Sequence, residues 1–155
     1  MEPIRIFISY AHANAIWLGK TVQEEKASRG TDGREYPWGN GWDESRCRNA
    51  KNRASEETTP ILAYREGASP CGCLQMSGNV WEWCEDWYEG YLYEKLRKTR
   101  VPQDLAVSSR GRNRVVRGGA WHSAYPSDFL CAYRYNNEYG VRSSGNGFRV
   151  ARTPK

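Results

Sequence analysis

Gly78-Asn79-Val80-Trp81-Glu82-Trp83, continued by Glu85, Asp86, Trp87 and Tyr88, is the stretch on which the fold turns, because it crowds three indoles around acidic side chains. Strand alternation leaves Trp81, Trp83 and Tyr88 out of register, and only Trp83 and Trp87 meet helical spacing. The string therefore predicts an irregular, aromatic-walled loop. Such a loop frees backbone carbonyls beside Glu82, and calcium takes oxygen donors in flexible geometry. The alternative is a Trp-rich core turn whose acids are simply solvated, since acids near aromatics are common on surfaces.

Around this stretch, 155 residues suit one domain with one core. The apolar fraction is modest, so the 7 Trp and 10 Tyr, rather than Leu or Ile, must carry the core. The 15 Gly imply many turns. No apolar run approaches the roughly 20 residues that span a bilayer, and the start, with Glu2, Arg5 and His12, lacks a secretory block, so the chain reads as cytoplasmic with no membrane partner.

Cys47, Cys71, Cys73, Cys84 and Cys131 are an odd set without paired CxxC spacing. That argues against a disulfide framework and against a zinc ribbon. Cys71 and Cys73 form at most a two-thiol site for a soft metal, half the ligands of a structural zinc.

The net charge of +5 is concentrated in Lys95, Arg97, Lys98, Arg100, Arg110, Arg112, Arg114 and Arg117, opposed there only by Asp104. No nucleic-acid fold or stacking ladder accompanies them, so a solvated basic loop is favoured over a phosphate-binding patch, and nucleic acid is not an expected partner.

Ile4, Ile6 and Ile8 alternate with Arg5, Phe7 and Ser9 and predict a short strand. Residues 13–29 predict a helix stopped by Gly30 and the following Thr-Asp-Gly. Val115 to Arg117 and Phe148 to Ala151 predict core strands. Between residues 122 and 146 lies a mixture of Tyr, Ser, Asn, Asp and Gly that resembles a paratope in composition, with rigid aromatic contact area and adaptable polar groups. His122, Ser123, Tyr125, Ser127, Asp128, Phe129, Tyr135, Asn136, Asn137, Tyr139, Ser143, Ser144 and Asn146 are the candidate contacts for a protein or small-molecule ligand. An ordinary polar loop is the competing explanation, and no Ser-His-Asp triad is indicated.

Five motifs occur in a fixed order: REYPWG (34–39), GNVWEW (78–83), VVRGGAW (115–121), CAYR (131–134) and GFRVAR (147–152). Together they resemble the formylglycine-generating enzyme, or sulfatase-modifying factor, family over residues 23–152. The resemblance implies an α+β, C-type-lectin-like fold of the sulfatase-modifying factor type, irregular and loop-rich, truncated here on its N-terminal side. Residues 1–22 would then be a separate lead-in whose IRIFISYAH resembles the first strand of a TIR domain, without that domain's catalytic residues. A partner supplying the N-terminal half, or a decayed fragment that never folds alone, follows as a further expectation.

Family oxidases convert a sulfatase cysteine to formylglycine using copper and two cysteines, at positions held here by Ser123 and Asp128. Hydroxyl and carboxylate cannot replace thiolates toward copper(I), so copper is not an expected cofactor. The alternative oxidase chemistry would have to run through Cys131 with Cys71 or Cys73. The family's calcium site maps onto Gln75, Gly78, Val80 and Glu82, with Gln75 where Asp or Asn is usual, implying a weakened structural calcium. A second calcium site would begin near Asn49 and Ala50 but lacks its acidic partner. The segment 122–146 also resembles the variable region of retroelement-diversified proteins built on this fold. The leading expectation is a non-catalytic ligand- or protein-binding module, with an oxidase acting on protein cysteine as the alternative.

Overall fold

The computed structural model describes residues 5–9, 21–91 and 111–152. A five-stranded sheet organises them: β1 (Arg5–Ser9), β2 (Trp81–Trp87), β3 (Asn113–Arg117), β4 (Tyr135–Glu138) and β5 (Asn146–Arg152), in the order β1-β5-β2-β3-β4. β2 and β5 run parallel through Trp81 opposite Asn146 and Trp83 opposite Phe148, and the other pairs are antiparallel. β3 lies inside the sheet because its centre is two β-branched residues, Val115 and Val116, both wholly buried. The predicted first strand forms at Arg5–Ser9 and joins the same sheet, Arg5 facing Arg152 and Ser9 facing Phe148.

The predicted aromatic loop is instead β2, and this corrects the sequence expectation. Four steps along β2, from Trp83 to Trp87, are matched by two along β3, from Val116 to Arg114. A bulged irregularity of that kind resets the alternation, which is why a period of two failed on a real strand. Similarly, Asn113–Arg117 is strand rather than basic loop, with Arg117 buried and 3.8 Å from Glu25. The remaining basic positions from Lys95 to Arg110 lie outside the described residues.

Helix α1 (Thr21–Arg29) realises the C-terminal part of the predicted helix, residues 13–20 lying outside the described set. Gly30 closes it at φ +65, its N–H bonded to the Lys26 carbonyl at 3.0 Å. Aromatics do dominate the core among the described residues: Tyr36, Trp81, Trp121 and Phe129 are buried while Leu62 is exposed. Around Phe129 stand Tyr36, Trp38 and Trp42, with Trp42 stacked on Phe129 at 4.8 Å. A second cluster joins Trp81, Val116 and Ala120, with Trp83 and Tyr133 against it. No described helix is long and apolar enough to cross a membrane.

Candidate functional site

Glu82 sits on β2 between Arg117 of β3 and Gly147 of β5, and only 2% of it is exposed. Arg149 of β5 meets it with a fork: Nε donates to Oε2 at 2.9 Å and Nη2 to Oε1 at 2.7 Å. The same Nη2 reaches the carbonyls of Leu74 and Gln75, each at 3.0 Å. Bidentate, charge-assisted bonds are the strong kind, and burial makes the pair mutually dependent.

The other residues expected at calcium lie close by in the chain but are differently employed. Gly78 accepts from the Val80 N–H at 2.9 Å, and its own N–H donates to the Gly118 carbonyl. Gln75, in the left-handed region at φ 56, donates from Nε2 to the Ala63 carbonyl at 2.9 Å, while its Oε1 is buried without a partner. Both oxygens of the single carboxylate are bonded to a guanidinium, and the described residues contain no group of three or more His, Cys, Asp or Glu able to hold a metal. What is left for calcium is a set of neutral oxygens, Gln75 Oε1 foremost. Near Asn49 and Ala50 a second buried guanidinium, from Arg48, ties down the carbonyls of Asn52, Ser55 and Glu57.

The candidate contact residues of 122–146 divide by exposure. Tyr125, Tyr135 and Tyr139 are exposed at 72%, 45% and 60%, and His122, Ser127, Ser143 and Ser144 are also at the surface. Asn136 and Asn137, half-buried on β4, bond to Asn113 and Asn146. Phe129 is wholly buried, a core residue and not a surface contact. Ser123 is buried too: its Oγ accepts from the Ala120 N–H at 3.1 Å and its carbonyl from the Ala50 N–H at 3.0 Å, so its hydroxyl shapes a turn.

Asp128 lies in the 3-10 turn Pro126–Phe129, which presses on Gly119. Gly119 has φ +75, and a Cβ there would stand 2.7 Å from the Phe129 ring and 3.3 Å from the Asp128 carbonyl, so this close approach requires glycine. Desolvation raises the Asp128 carboxyl above its ordinary pKa, against a hydrogen bond involving the Tyr125 backbone that lowers it. Burial likewise raises the Tyr133 phenol, with the Asp128 charge and then Tyr135 and Tyr88 adding to it. The Tyr133 and Tyr135 rings lie 6.3 and 5.3 Å from Trp81.

All five cysteines are free, and only Cys71 is exposed. Cys131 accepts from the Ser28 hydroxyl at 2.9 Å, and its thiol is pushed up by burial, which favours the unreactive protonated form. Cys47 is pushed up to about 12 by burial. Sequence reasoning missed Arg149 and Arg48 as internal cations, and missed Tyr133. It also missed Arg114, whose guanidinium lies 3.8 Å over Trp87 and also faces Tyr139. The GFR motif carried the only advance signal for Arg149: an arginine inside an otherwise apolar strand needs a buried acid.

Comparison with known proteins agrees with this architecture. The family model for the sulfatase-modifying factor enzyme 1-like domain matches residues 6–154. Over 151 residues the chain is 38% identical to the serine/threonine-protein kinase pkn1 of Chlamydia caviae, a match covering 94% of this chain and 23% of that protein. It is 31% identical over 163 residues to the formylglycine-generating enzyme of Streptomyces coelicolor, covering 91% of this chain and 49% of that one. The fold matches Treponema denticola variable protein 1 with a TM-score of 0.67 at 23% identity, over 88% of this chain and 47% of that one. The chain therefore spans less than half the length of each.

Proposed function

The chain belongs to the sulfatase-modifying factor enzyme 1-like family, and on that premise we propose that it is a non-catalytic binding module whose contact surface is built from residues 122–146. The observation that carries this proposal is the use made of the two positions where the family's oxidase places its thiols. Ser123 spends its hydroxyl on a buried turn and Asp128 offers oxygen, so neither supplies soft sulfur. In the same segment Tyr125, Tyr135 and Tyr139 are exposed while Phe129 and Trp121 are buried. Exposed rings on a rigid frame contact a partner at low entropic cost and can be exchanged without disturbing the packing, which also supports the diversified-surface interpretation.

Calcium belongs to this proposal as a weak stabilising ligand only, since Arg149 already neutralises Glu82 and Gln75 contributes no charge. Free thiols at all five cysteines favour a reducing compartment.

The test has two arms. Supplied with copper and a sulfatase-derived cysteine peptide, the chain should form no aldehyde by mass spectrometry; copper-dependent turnover that Cys131→Ser abolishes would establish the oxidase instead. Peptides selected from a random library against the folded chain should lose binding when Tyr125, Tyr135 and Tyr139 are together changed to Ala, with cooperative unfolding retained and the melting temperature lowered only modestly by the lost ring contacts to Trp81 and Trp87. Binding indifferent to that change would remove the proposed surface.

A further inference from the structure

Arg114 carries its charge among aromatic rings. On β3 it stands opposite Trp87 of β2 and Asn137 of β4, so the three side chains leave the same face of the sheet, and Tyr139, two residues beyond Asn137, continues that row. The guanidinium carbon lies 3.8 Å from the centre of the Trp87 ring and 5.7 Å from that of Tyr139, and the two rings are 5.9 Å apart. Nη1 donates to the Glu85 carbonyl, while Nε is buried without a partner. Among the described residues no carboxylate forms an ion pair with Arg114, although Arg112, two positions earlier, takes Glu138 at 3.0 Å. A single neutral oxygen leaves most of the guanidinium's N–H donors and its whole positive charge to be met from outside the fold.

The ring beside it is fixed and open. Tyr139 is the second residue of the turn 138–141, closed by the Val141 N–H on the Glu138 carbonyl at 3.1 Å, and Gly140 at φ +91 supplies the left-handed third position. The Tyr139 N–H is itself bonded to the Arg112 carbonyl at 3.0 Å. Tyr139 is nevertheless 60% exposed and Val141 43%, with Trp87 half-buried against the guanidinium. Stacking on an indole orients a guanidinium and leaves its edge available for a planar, bidentate carboxylate. Tryptophan, tyrosine and arginine are also the residues in which interface energy concentrates.

We propose that Trp87, Arg114 and Tyr139 form a docking site for an acidic side chain, glutamate or aspartate, of a protein partner, the carboxylate meeting Arg114 and the adjoining partner residues packing on Tyr139 and Val141. This rests on the binding-module function proposed above and names the chemistry of one anchor. A carboxylate suits the site better than a phosphate, because Arg112 is already neutralised by Glu138 and a second negative charge would find no cation. A protein side chain suits it better than a free carboxylate, which would leave the exposed ring and valine uncovered.

The test is titration of the isotopically labelled chain with blocked pentapeptides having glutamate, glutamine or phosphoserine at the centre between leucines, alongside butyrate as a free carboxylate. Saturable shifts of the Trp87 indole N–H and the Arg114 Nε–H are expected with the glutamate peptide, and none with the glutamine peptide. Butyrate binding as tightly as the glutamate peptide would overturn the assignment to a protein side chain, and tighter binding of the phosphoserine peptide would overturn the choice of carboxylate. Arg114→Gln should weaken the glutamate peptide by about tenfold or more, as loss of a charge-assisted bond does, and Arg114→Lys, which keeps the charge without the planar fork, should restore only part of it. Tyr139→Ser, at an exposed turn position, should weaken it severalfold with cooperative unfolding retained, and decides the matter if the Arg114 variants do not fold. A glutamate peptide that does not bind, or that binds these variants unchanged, overturns the site. If library-selected peptides still require Tyr125, Tyr135 and Tyr139 while the glutamate peptide does not bind, the acidic anchor fails and the binding surface stands; loss of both dependences removes both.

Discussion

Two carboxylates, Glu82 on β2 and Asp128 in the turn Pro126–Phe129, are treated in opposite ways. Glu82 is almost sealed from water and is clasped by Arg149 through both oxygens, with the guanidinium extending to two backbone carbonyls. Asp128, in the turn Pro126–Phe129, is half-buried and raised in pKa by desolvation, against a hydrogen bond involving the Tyr125 backbone that lowers it. The difference teaches that a sealed acid is matched by a cation inside the fold, whereas an acid nearer the surface is held by the backbone of its own turn. A fully buried charge must be neutralised internally.

The largest expected effect lies on the closed side. Arg149→Met should cost about 3–5 kcal/mol in denaturant unfolding, because it abandons Glu82 in the interior. Joining it with Glu82→Leu should recover much of that loss; a single variant costing under about 1 kcal/mol would show that water reaches the pair. Next come the two glycines that hold the acids in place. Gly78→Ala would set a Cβ 2.5 Å from the Arg48 carbonyl at φ +84, and Gly119→Ala would crowd the Phe129 ring at φ +75. Each should cost about 1–3 kcal/mol of backbone strain, read as a lowered denaturation midpoint.

On the open side, Asp128→Asn should keep or raise stability at neutral pH. A folded-state pKa above the unfolded one means that ionising Asp128 opposes folding, so the advantage of Asn is present once both states are ionised. It should fade as the pH falls and the folded-state carboxyl takes up its proton; an advantage that grew on acidification would contradict the raised pKa. Thiol titration gives a sharper count: the native chain should react at Cys71 alone and the denatured chain at all five cysteines, since Cys47, Cys73, Cys84 and Cys131 are buried. Rapid native labelling of Cys131 would revive the oxidase alternative. The smallest effect is calcium's, a change of about 1 °C or less in melting temperature between millimolar calcium and chelator, because weak binding contributes little linkage. A much larger rise would show that calcium displaces Arg149 from Glu82.

Much of the fold was legible in advance. Five motifs in order identified the family, the Val115–Arg117 strand and the Gly30 helix stop appeared where the pattern placed them, and aromatics carry the core. The strand Trp81–Trp87 was illegible because its bulge breaks the alternation by which strands are recognised. In the candidate site, Tyr125, Tyr135 and Tyr139 did emerge as surface residues, but Phe129 and Ser123 lie inside. Composition gave Phe129 and Tyr125 the same standing, since nothing local distinguishes a ring turned inward by a 3-10 turn from one turned outward.

The amino-acid sequence by itself determined the family and the loop-rich α+β architecture, because these follow from residue identity and order. Only the tertiary structure decided the fate of each charge. Glu82 and Arg149 are 67 positions apart, and the parallel pairing of β2 with β5 makes them partners. Asp128 shares the chain with many arginines, but among the described residues none forms a salt bridge with it. Electrostatic energy depends on separation and burial, quantities that chain order does not contain.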